Sequence, residues 1–233
     1  MLTFPGNNKN KASLYGIAFM LFLLFIAYPV TMRISYRIAG VTQPGAQQLF
    51  VSRLYFWIIL LLVWWYAYQV EKSKLQLWKE QKQPFWIHAA SFILVYLVLA
   101  FGLYGIKTIL EKIHSPITSP QFQNIIRLLR NNTPLILLTA ITAGVVEELL
   151  FRGYLQPRFE LLLKNPWLSM LATSLVFGLL HYGYGTLINM VGPFFIGFIF
   201  SIHYWKFRNI HFLIIFHFLW DLIVIYSQLR IVH

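Results

Sequence analysis

Seven strongly apolar stretches, each close to the length that crosses a lipid bilayer, limit what this chain can fold into. They run at about 13–32, 54–70, 86–109, 133–156, 166–182, 185–205 and 209–228. A transmembrane helix needs about 20 consecutive apolar residues, and a helix satisfies its own backbone polar groups inside the bilayer. The alternation of apolar and polar residues that is typical of strands does not occur. We therefore predict an all-α fold, a polytopic membrane helix bundle of about seven to eight transmembrane helices.

The composition agrees with this prediction and excludes other classes of protein. Of the 233 residues, 58% are hydrophobic and only 11% are charged, which is too apolar for an ordinary soluble domain. The net charge of +12 comes from Lys and Arg residues that fall mostly between the apolar stretches, where they bind anionic lipid headgroups. Cysteine is absent from the sequence, so disulfides and thiolate chemistry are excluded. We expect an integral membrane protein with lipid, and no nucleic acid, among its partners.

The chain has no internal repeat, linker or abrupt change of composition. We therefore predict a single integral membrane domain over residues 1–233. Residues 1–130 form N-terminal helices without a recognisable motif, and residues 131–230 carry the groups that suggest chemistry. No oligomeric state is predicted.

One short segment, 119–132, is amphipathic rather than uniformly apolar. Its apolar residues recur at helical spacing and form one face: Phe122, Ile125, Ile126 and Leu129. Arg127 and Arg130 lie off this face. This pattern predicts a short helix lying in the membrane interface.

Three carboxylates lie inside the predicted spans, where charge is costly: Glu147, Glu148 and Asp221. The whole chain contains only seven acidic residues. A charge at the centre of a bilayer costs roughly 3 kcal/mol on insertion scales. Such residues face the interior of the bundle, and they are functional candidates whose partners must be found.

The first partner follows from helical spacing. Glu148 and Arg152 are four residues apart, so they share a helix face and can form a salt bridge. Glu147 is rotated by about 100° from Glu148 and cannot easily share that arginine. One carboxylate is then neutralised locally and the other is left available. The alternative is an ion cluster at a helix end with no chemical role.

Two further pairs have the same spacing on other predicted helices. Phe177 and His181 are four residues apart near the end of the fifth span, and His217 and Asp221 are four residues apart in the seventh. Two ionisable groups on one face of a membrane helix must face inward. We therefore expect the fourth, fifth and seventh spans to bring their polar side chains together in one pocket: Glu147, Glu148, His181, His217 and Asp221.

Helix lengths support this pocket only in part. Glu147 lies about 21 Å along the fourth span from Thr133, and His217 reaches a similar depth on the seventh span. His181 lies about 24 Å from Asn165, which is too deep to meet them. Either the segment 157–165 continues as helix, or the fifth span is offset or broken.

Carboxylates and imidazoles in a dry pocket suit hydrolysis by activated water. A desolvated glutamate can act as a general base, and a histidine can help to activate water or donate to a developing oxyanion. The same groups could instead hold a divalent metal such as zinc, with Glu147, His181, His217 and Asp221 as ligands. No serine, cysteine or threonine is similarly placed to act as a nucleophile.

Three motifs resemble those of a known family. The sequence contains EELLFR, FGLLH and HFLWD in that order, matching the family patterns EExxxR, FxxxH and HxxxN/D. The chain is similar, over roughly residues 130–230, to the CAAX prenyl protease and bacteriocin-processing (Abi, or CPBP) family of intramembrane proteases. The resemblance implies cleavage of a peptide bond in a membrane-associated or prenylated peptide, and a bacterial cytoplasmic membrane as the location.

The resemblance also implies roles for individual residues. Glu147 is the base that activates water, assisted by His181, whereas Glu148, Arg152 and Phe177 support the site or orient the substrate. His217 and the residue at position 221 stabilise the oxyanion. The eukaryotic branch has Asn where this chain has Asp221, and an ionised Asp cannot donate a hydrogen bond. Asp221 must then be protonated, orient His217, or help to bind a cation.

Two alternatives stay open at this stage. The mechanism can be metal-free, which we favour, or metal-dependent. The protein can also be a non-catalytic bacteriocin-immunity or scaffold protein, in which the polar residues only hold the helices together.

Overall fold

The protein, in a computed structural model that describes residues 6–231, folds into eight helices. They are α1 (6–38, with a π-helical turn at Leu23–Ala27), α2 (Ala46–Gln69), α3 (Phe85–Lys112), α4 (Pro120–Leu129), α5 (Thr133–Leu163), α6 (Pro166–Leu180), α7 (Ile188–Phe207) and α8 (Ile210–Ile231). The described part contains no strand, so the predicted all-α fold is confirmed. The predicted domain, 1–233, extends beyond the described residues at both ends.

Six of these helices are long and apolar enough to cross a membrane: α1, α2, α3, α5, α7 and α8. The stretch predicted as the fifth span forms α6, which has only 15 residues and is about 22 Å long. Large apolar side chains such as Leu61, Trp64, Phe101 and Tyr104 are exposed on the outer faces, as expected where lipid is the solvent. The helical membrane bundle predicted from the sequence is therefore confirmed.

Helix α5 lies at the centre of the bundle. Its most apolar window is 61% buried, whereas the corresponding windows of the other five spans are 17–39% buried. Residues Val146, Leu150 and Phe151 of α5 pack with α1 and α2 in one buried apolar cluster. A second cluster joins α3, α7 and α8 around Phe200 and Phe216. The central helix is also the one that carries Glu147, Glu148 and Arg152.

Asparagine side chains fix where two of the helices begin. The Asn165 carboxamide accepts hydrogen bonds from the backbone N–H groups of Trp167 and Leu168, and Pro166 follows it at the first helical position. Asn132 caps α5 in the same way through the N–H of Leu135. Each cap satisfies donors that the helix cannot satisfy itself, which is worth about 1 kcal/mol.

Helix α5 continues past Pro157, although the sequence pattern ended it at residue 156. The stretches Thr142–Glu147 and Leu149–Leu155 are π-helical, and regular α-helix resumes at Gln156. Pro157 thus lies where the π-helical stretch changes to α-helix, and the helix continues through it. The predicted bound 133–156 was therefore too short.

This extension removes the mismatch in depth at His181. The 31 residues of α5 rise about 46 Å, so α6 starts well beyond the point that the shorter helix implied. Running back about 22 Å along α6, the chain reaches His181 at nearly the depth of Glu147. Of the two explanations offered by the sequence, the continued helix is the one observed.

Helix α4 forms within the amphipathic segment, as predicted. Two residues of its apolar face, Ile126 and Leu129, are buried, and Leu129 packs in a cluster with Leu49, Leu135 and Ile225. This part of the apolar face is therefore covered by protein instead of lipid. The predicted position in the membrane interface stays a prediction.

Glycine allows α5 and α8 to approach closely beside the candidate site. A Cβ atom on Gly144 would lie 2.7 Å from the Ile214 carbonyl oxygen and 3.0 Å from the Phe218 Cβ. Both contacts involve atoms that cannot swing aside. Gly144 therefore sets the distance between the helix that carries Glu147 and the helix that carries His217.

We expect Gly144→Ala to lower the free energy of unfolding by about 1–3 kcal/mol, because overpacking forces α5 and α8 apart. Gly105→Ala on α3 is the matched control, since a Cβ there meets nothing within 4 Å and alanine favours the helix. Thermal unfolding in detergent measures both variants. Equal stability of the two variants would contradict the close-packing role of Gly144.

Candidate functional site

A cavity of about 500 Å³ opens between α1, α2, α4 and α5. Its wall includes Glu147, His181, Arg53 and Tyr184. Liquid water occupies about 30 Å³ per molecule, so the cavity has room for water together with part of a larger ligand. Glu147 and His181 thus face a common space, as the sequence predicted.

Glu147 lies on the π-helical turn of α5, and its residue is only 6% exposed. No ion pair among the described residues includes its carboxylate. Single π-helical turns inside α-helices occur frequently at functional sites. Glu147 is therefore a buried acid that faces the cavity without a fixed cationic partner.

His181 ends α6 and is oriented by a backbone carbonyl. Its Nδ1 lies 2.8 Å from the carbonyl oxygen of Phe177. Because a carbonyl oxygen only accepts hydrogen bonds, Nδ1 carries the proton. In the neutral ring Nε2 is then a free acceptor. This tautomer suits a histidine that takes a proton from water.

Glu148 forms the predicted ion pair and also binds a histidine. Arg152 donates to the Glu148 carboxylate over 2.7 Å, and both side chains are fully buried. The same oxygen, Oε1, lies 2.8 Å from Nδ1 of His217 on α8. Arg152 also donates to the Gly197 carbonyl of α7 over 3.2 Å. The Glu148 carboxylate therefore links α5 with α8, and its arginine partner links α5 with α7.

Asp221 lies one helical turn beyond His217 and is less buried. Its Oδ1 is 3.6 Å from Nε2 of His217, and its side chain is 28% exposed. That separation is too long for a hydrogen bond. His217 is thus held firmly by Glu148 and only loosely by Asp221.

The aromatic ring of Phe177 separates the two histidines. Its centroid lies 5.0 Å from the ring of His181 and 6.3 Å from the ring of His217. The guanidinium of Arg152 stacks over the same ring at 4.8 Å. Phe177 therefore holds the positions of the charged groups and has no polar atom of its own to offer.

The predicted single pocket is divided into two neighbouring parts. Glu147 and His181 line the cavity, whereas the other polar residues predicted there are absent from its lining: Glu148, His217 and Asp221. Glu147 and Glu148 point to different neighbours because adjacent residues on a helix face different directions. The roles predicted for His217 and Asp221 at an oxyanion stay predictions.

The side chains as arranged do not fit a metal site. Between residues 6 and 231, no three His, Asp or Glu side chains form a group that could hold a metal ion. A zinc site needs three or four such ligands around one point. The groups that this site offers for chemistry are the protein's own acids and bases.

Two cavity residues were missed by the sequence patterns. Arg53 was assigned to the lipid headgroups, but it is only 8% exposed. It lies between Leu49 and Phe56 on the buried face of α2, so an arginine at a buried helical position was the available signal. Tyr184 follows α6 in a 3₁₀ turn and lies next to Arg53. Burial raises the pKa of the Tyr184 phenol, which therefore stays uncharged and does not neutralise the arginine.

A second buried ion pair was also missed, and it lies outside the cavity. Arg158 on α5 binds the carboxylate of Glu71 through Nε at 2.9 and 3.0 Å. The Tyr154 hydroxyl donates to the same carboxylate over 2.9 Å. Arg158 was assigned to the membrane surface because it follows an apolar stretch. It instead joins the end of α2 to α5.

Comparison with protein families agrees with the motifs. Residues 129–223 match the model of the family described as type II CAAX prenyl endopeptidase Rce1-like. Over these residues, which make up less than half of the chain, the protein is similar to the Rce1-like family. The match contains all three motifs and every residue of the predicted site. No curated protein and no solved structure matches the chain.

The Rce1-like segment accounts for 95 of the 233 residues, from the end of α4 to the middle of α8. The family supports CAAX-type intramembrane protease activity in general, and hence a hydrolase. Together with the six apolar helices, it indicates an integral membrane protein. Helices α1 and α2, which supply Arg53 and much of the cavity wall, lie outside the match.

Proposed function

We propose that the protein is an intramembrane endopeptidase that hydrolyses a peptide bond with water activated by Glu147 and His181. The observation that carries this proposal is the shared cavity, in which an unpaired buried carboxylate and an acceptor nitrogen face the same space. The Rce1-like match supports the reaction class. The substrate is a membrane-associated peptide, with or without a prenyl group, which enters from the surrounding lipid.

The reaction needs one water molecule and no cofactor. Glu147 takes a proton from water as the oxygen attacks the carbonyl carbon of the scissile bond. The carbonyl oxygen becomes an oxyanion in a tetrahedral intermediate. Glu147 then returns the proton to the leaving nitrogen as the C–N bond breaks, which gives a carboxylic acid and an amine. His181 orients the water through its free Nε2.

His217 lies outside the cavity lining and acts on the reaction through its charge. Its Nδ1 is held by Glu148 and its Nε2 points towards Asp221, so the ring sits between two carboxylates. When the ring carries a second proton, its positive charge lowers the energy of the oxyanion. In this proposal Asp221 orients His217 and needs no proton of its own.

The alternative, a non-catalytic immunity or scaffold protein, is not favoured by a match to an endopeptidase family. It also gives no reason for a carboxylate to be left unpaired beside a cavity, since buried charges without partners destabilise a protein. The bacterial cytoplasmic membrane stays a prediction.

Hydrolysis can be tested without knowledge of the substrate. Membranes that contain the protein are incubated in ¹⁸O-labelled water, and the released peptides are sequenced by mass spectrometry. We expect new C-termini that carry ¹⁸O and that are missing from membranes containing Glu147→Gln. The same peptides should persist after treatment with a metal chelator. Identical peptide sets from active and variant membranes would contradict the proposed reaction, and loss on chelation would contradict a metal-free site.

A further inference from the structure

The cavity holds one charged group that the proposed hydrolysis does not use. Arg53 of α2 is 8% exposed, and its Nε has no hydrogen-bond partner in the described part of the chain. No carboxylate among residues 6–231 forms an ion pair with it. The Tyr184 phenol hydrogen bonds to this guanidinium, and Glu147 interacts with it electrostatically within the same cavity, but neither contact is an ion pair. A buried guanidinium without an ion pair is costly, so its presence beside a cavity points to an anionic partner that arrives with the ligand.

Arg53 lies in the same cavity wall as the proposed base. The guanidinium carbon lies 6.0 Å from the centroid of the Phe56 ring, and Arg53, Phe56 and Glu147 all line the cavity. The charge is therefore available to a ligand that occupies the space beside Glu147.

A hydrogen bond between α2 and α5 gives the relative depth of the two charges. The Trp57 indole donates to the Thr142 hydroxyl over 3.0 Å, so these residues lie at one level. Arg53 comes four residues before Trp57, and Glu147 comes five residues after Thr142. The two helices run in the same direction, since Glu71, just beyond the end of α2, binds Arg158 further along α5, so the two backbone positions differ by about 13 Å along the helices. Arg53 and Glu147 thus lie at different levels of the same cavity.

We propose that Arg53 binds a carboxylate of the peptide substrate and thereby determines which peptide bond reaches Glu147. The second part of this proposal, the choice of the peptide bond, rests on the proposed hydrolysis. The guanidinium presents several N–H donors in a planar fork that matches the two oxygens of a carboxylate. The neighbouring Tyr184 is uncharged, so it contributes hydrogen bonding without competing as an anion.

The spacing of the two groups restricts the substrate. An extended peptide covers about 3.3 Å per residue, and the arginine side chain itself bridges part of the difference in depth. The scissile bond should therefore lie roughly two to four residues from the bound carboxylate. The carboxylate can be the C-terminus of the peptide or the side chain of Asp or Glu.

Binding is tested in the Glu147→Gln background, where cleavage does not interfere. The probes are three pools of apolar decapeptides with randomised sequences: free acids, C-terminal amides, and amides that carry one internal Glu. Protein in lipid nanodiscs is mixed with each pool, and the retained peptides are quantified by mass spectrometry. We expect free acids to be retained roughly 10- to 100-fold better than plain amides, as for a hydrogen-bonded charged pair. If amides with an internal Glu are retained as well as the free acids, a side-chain carboxylate is sufficient for binding. If they are retained as poorly as the plain amides, the site binds the C-terminal carboxylate.

Substitution of Arg53 tests whether this residue causes the preference for free acids over amides. Arg53→Gln should bring the ratio of acids to amides close to one, and Arg53→Lys should leave an intermediate ratio because it keeps the charge but loses the fork. Arg33→Gln is the matched control, since Arg33 is an exposed arginine of α1 and should leave the ratio unchanged. If Arg53→Gln does not fold, the drop in Arg53→Lys decides the result.

Two results would overturn the proposal: equal retention of acids and amides by protein with Arg53, or a preference that persists without it. Neither result depends on catalysis, so a protein that binds acids through Arg53 but cleaves nothing would refute the proposed hydrolysis alone. In the cleaving protein, Arg53→Gln should raise KM for acid substrates and change kcat little. An equal fall in kcat for acids and amides would instead mean that Arg53 acts on Glu147.

Discussion

Replacement of Glu147 by glutamine should lower the rate of peptide cleavage by roughly 10²- to 10⁴-fold, the usual contribution of a general base. The amide keeps the size of the side chain but cannot take a proton from water. Folding should be unaffected, because the carboxylate has no ion-pair partner among the described residues. The measurement is single-turnover cleavage of a peptide identified by the ¹⁸O experiment, together with thermal unfolding of the same sample.

The control for this substitution is Glu111→Gln on α3. Glu111 makes only an exposed pair with Lys107, 3.7 Å long, and its side chain is 51% exposed, so cleavage should continue at the original rate. Comparison with Glu148→Gln separates chemistry from structure, because that change weakens the bonds to Arg152 and His217 and should reduce stability as well. Normal cleavage by a folded Glu147→Gln protein would refute the assignment of the base.

The sequence predicted those parts of the site that lie on one helix face. The pair Glu148 and Arg152 was predicted from a spacing of four residues, and it is observed at 2.7 Å. The separation of Glu147 from that pair followed from the rotation between adjacent residues. Helical periodicity relates residues within one helix, so these inferences needed no knowledge of how the helices pack.

Contacts between helices could not be predicted in the same way. The bond from His217 to Glu148 joins α8 to α5, and the position of Arg53 beside the cavity depends on how α2 packs against α5. Neither relation has a fixed spacing along the chain. The π-helical turns in α5 were also hidden, because a regular period of 3.6 residues cannot reveal a local change of hydrogen bonding. Pro157 follows directly after them, and the continuation of α5 beyond it brings His181 to the depth of Glu147.

Replacement of Arg152 by alanine should have the largest effect on stability, about 3–5 kcal/mol in the free energy of unfolding. The change removes the cation from a fully buried pair and leaves the Glu148 carboxylate with His217 as its remaining hydrogen-bond partner. It also removes the bond to the Gly197 carbonyl and the stacking over Phe177. Activity should fall together with stability, because Glu148 holds His217 in place. Unfolding in mixed detergent micelles measures the first effect, and cleavage at a temperature where the variant is folded measures the second.

The chain contains a matched control for this effect of burial. Lys107 and Glu111 form an ion pair with the same spacing of four residues, but their side chains are 50% and 51% exposed. Lys107→Ala should therefore cost less than about 1 kcal/mol, as exposed pairs do. If both alanine variants lose the same small amount, the Glu148 carboxylate is not dependent on Arg152. If Arg152→Ala instead loses activity at unchanged stability, the arginine contacts the substrate, and its place among the supporting residues is wrong. The spacing of the two pairs is the same, so the difference between the variants reports burial together with the further contacts that Arg152 makes to Gly197 and Phe177.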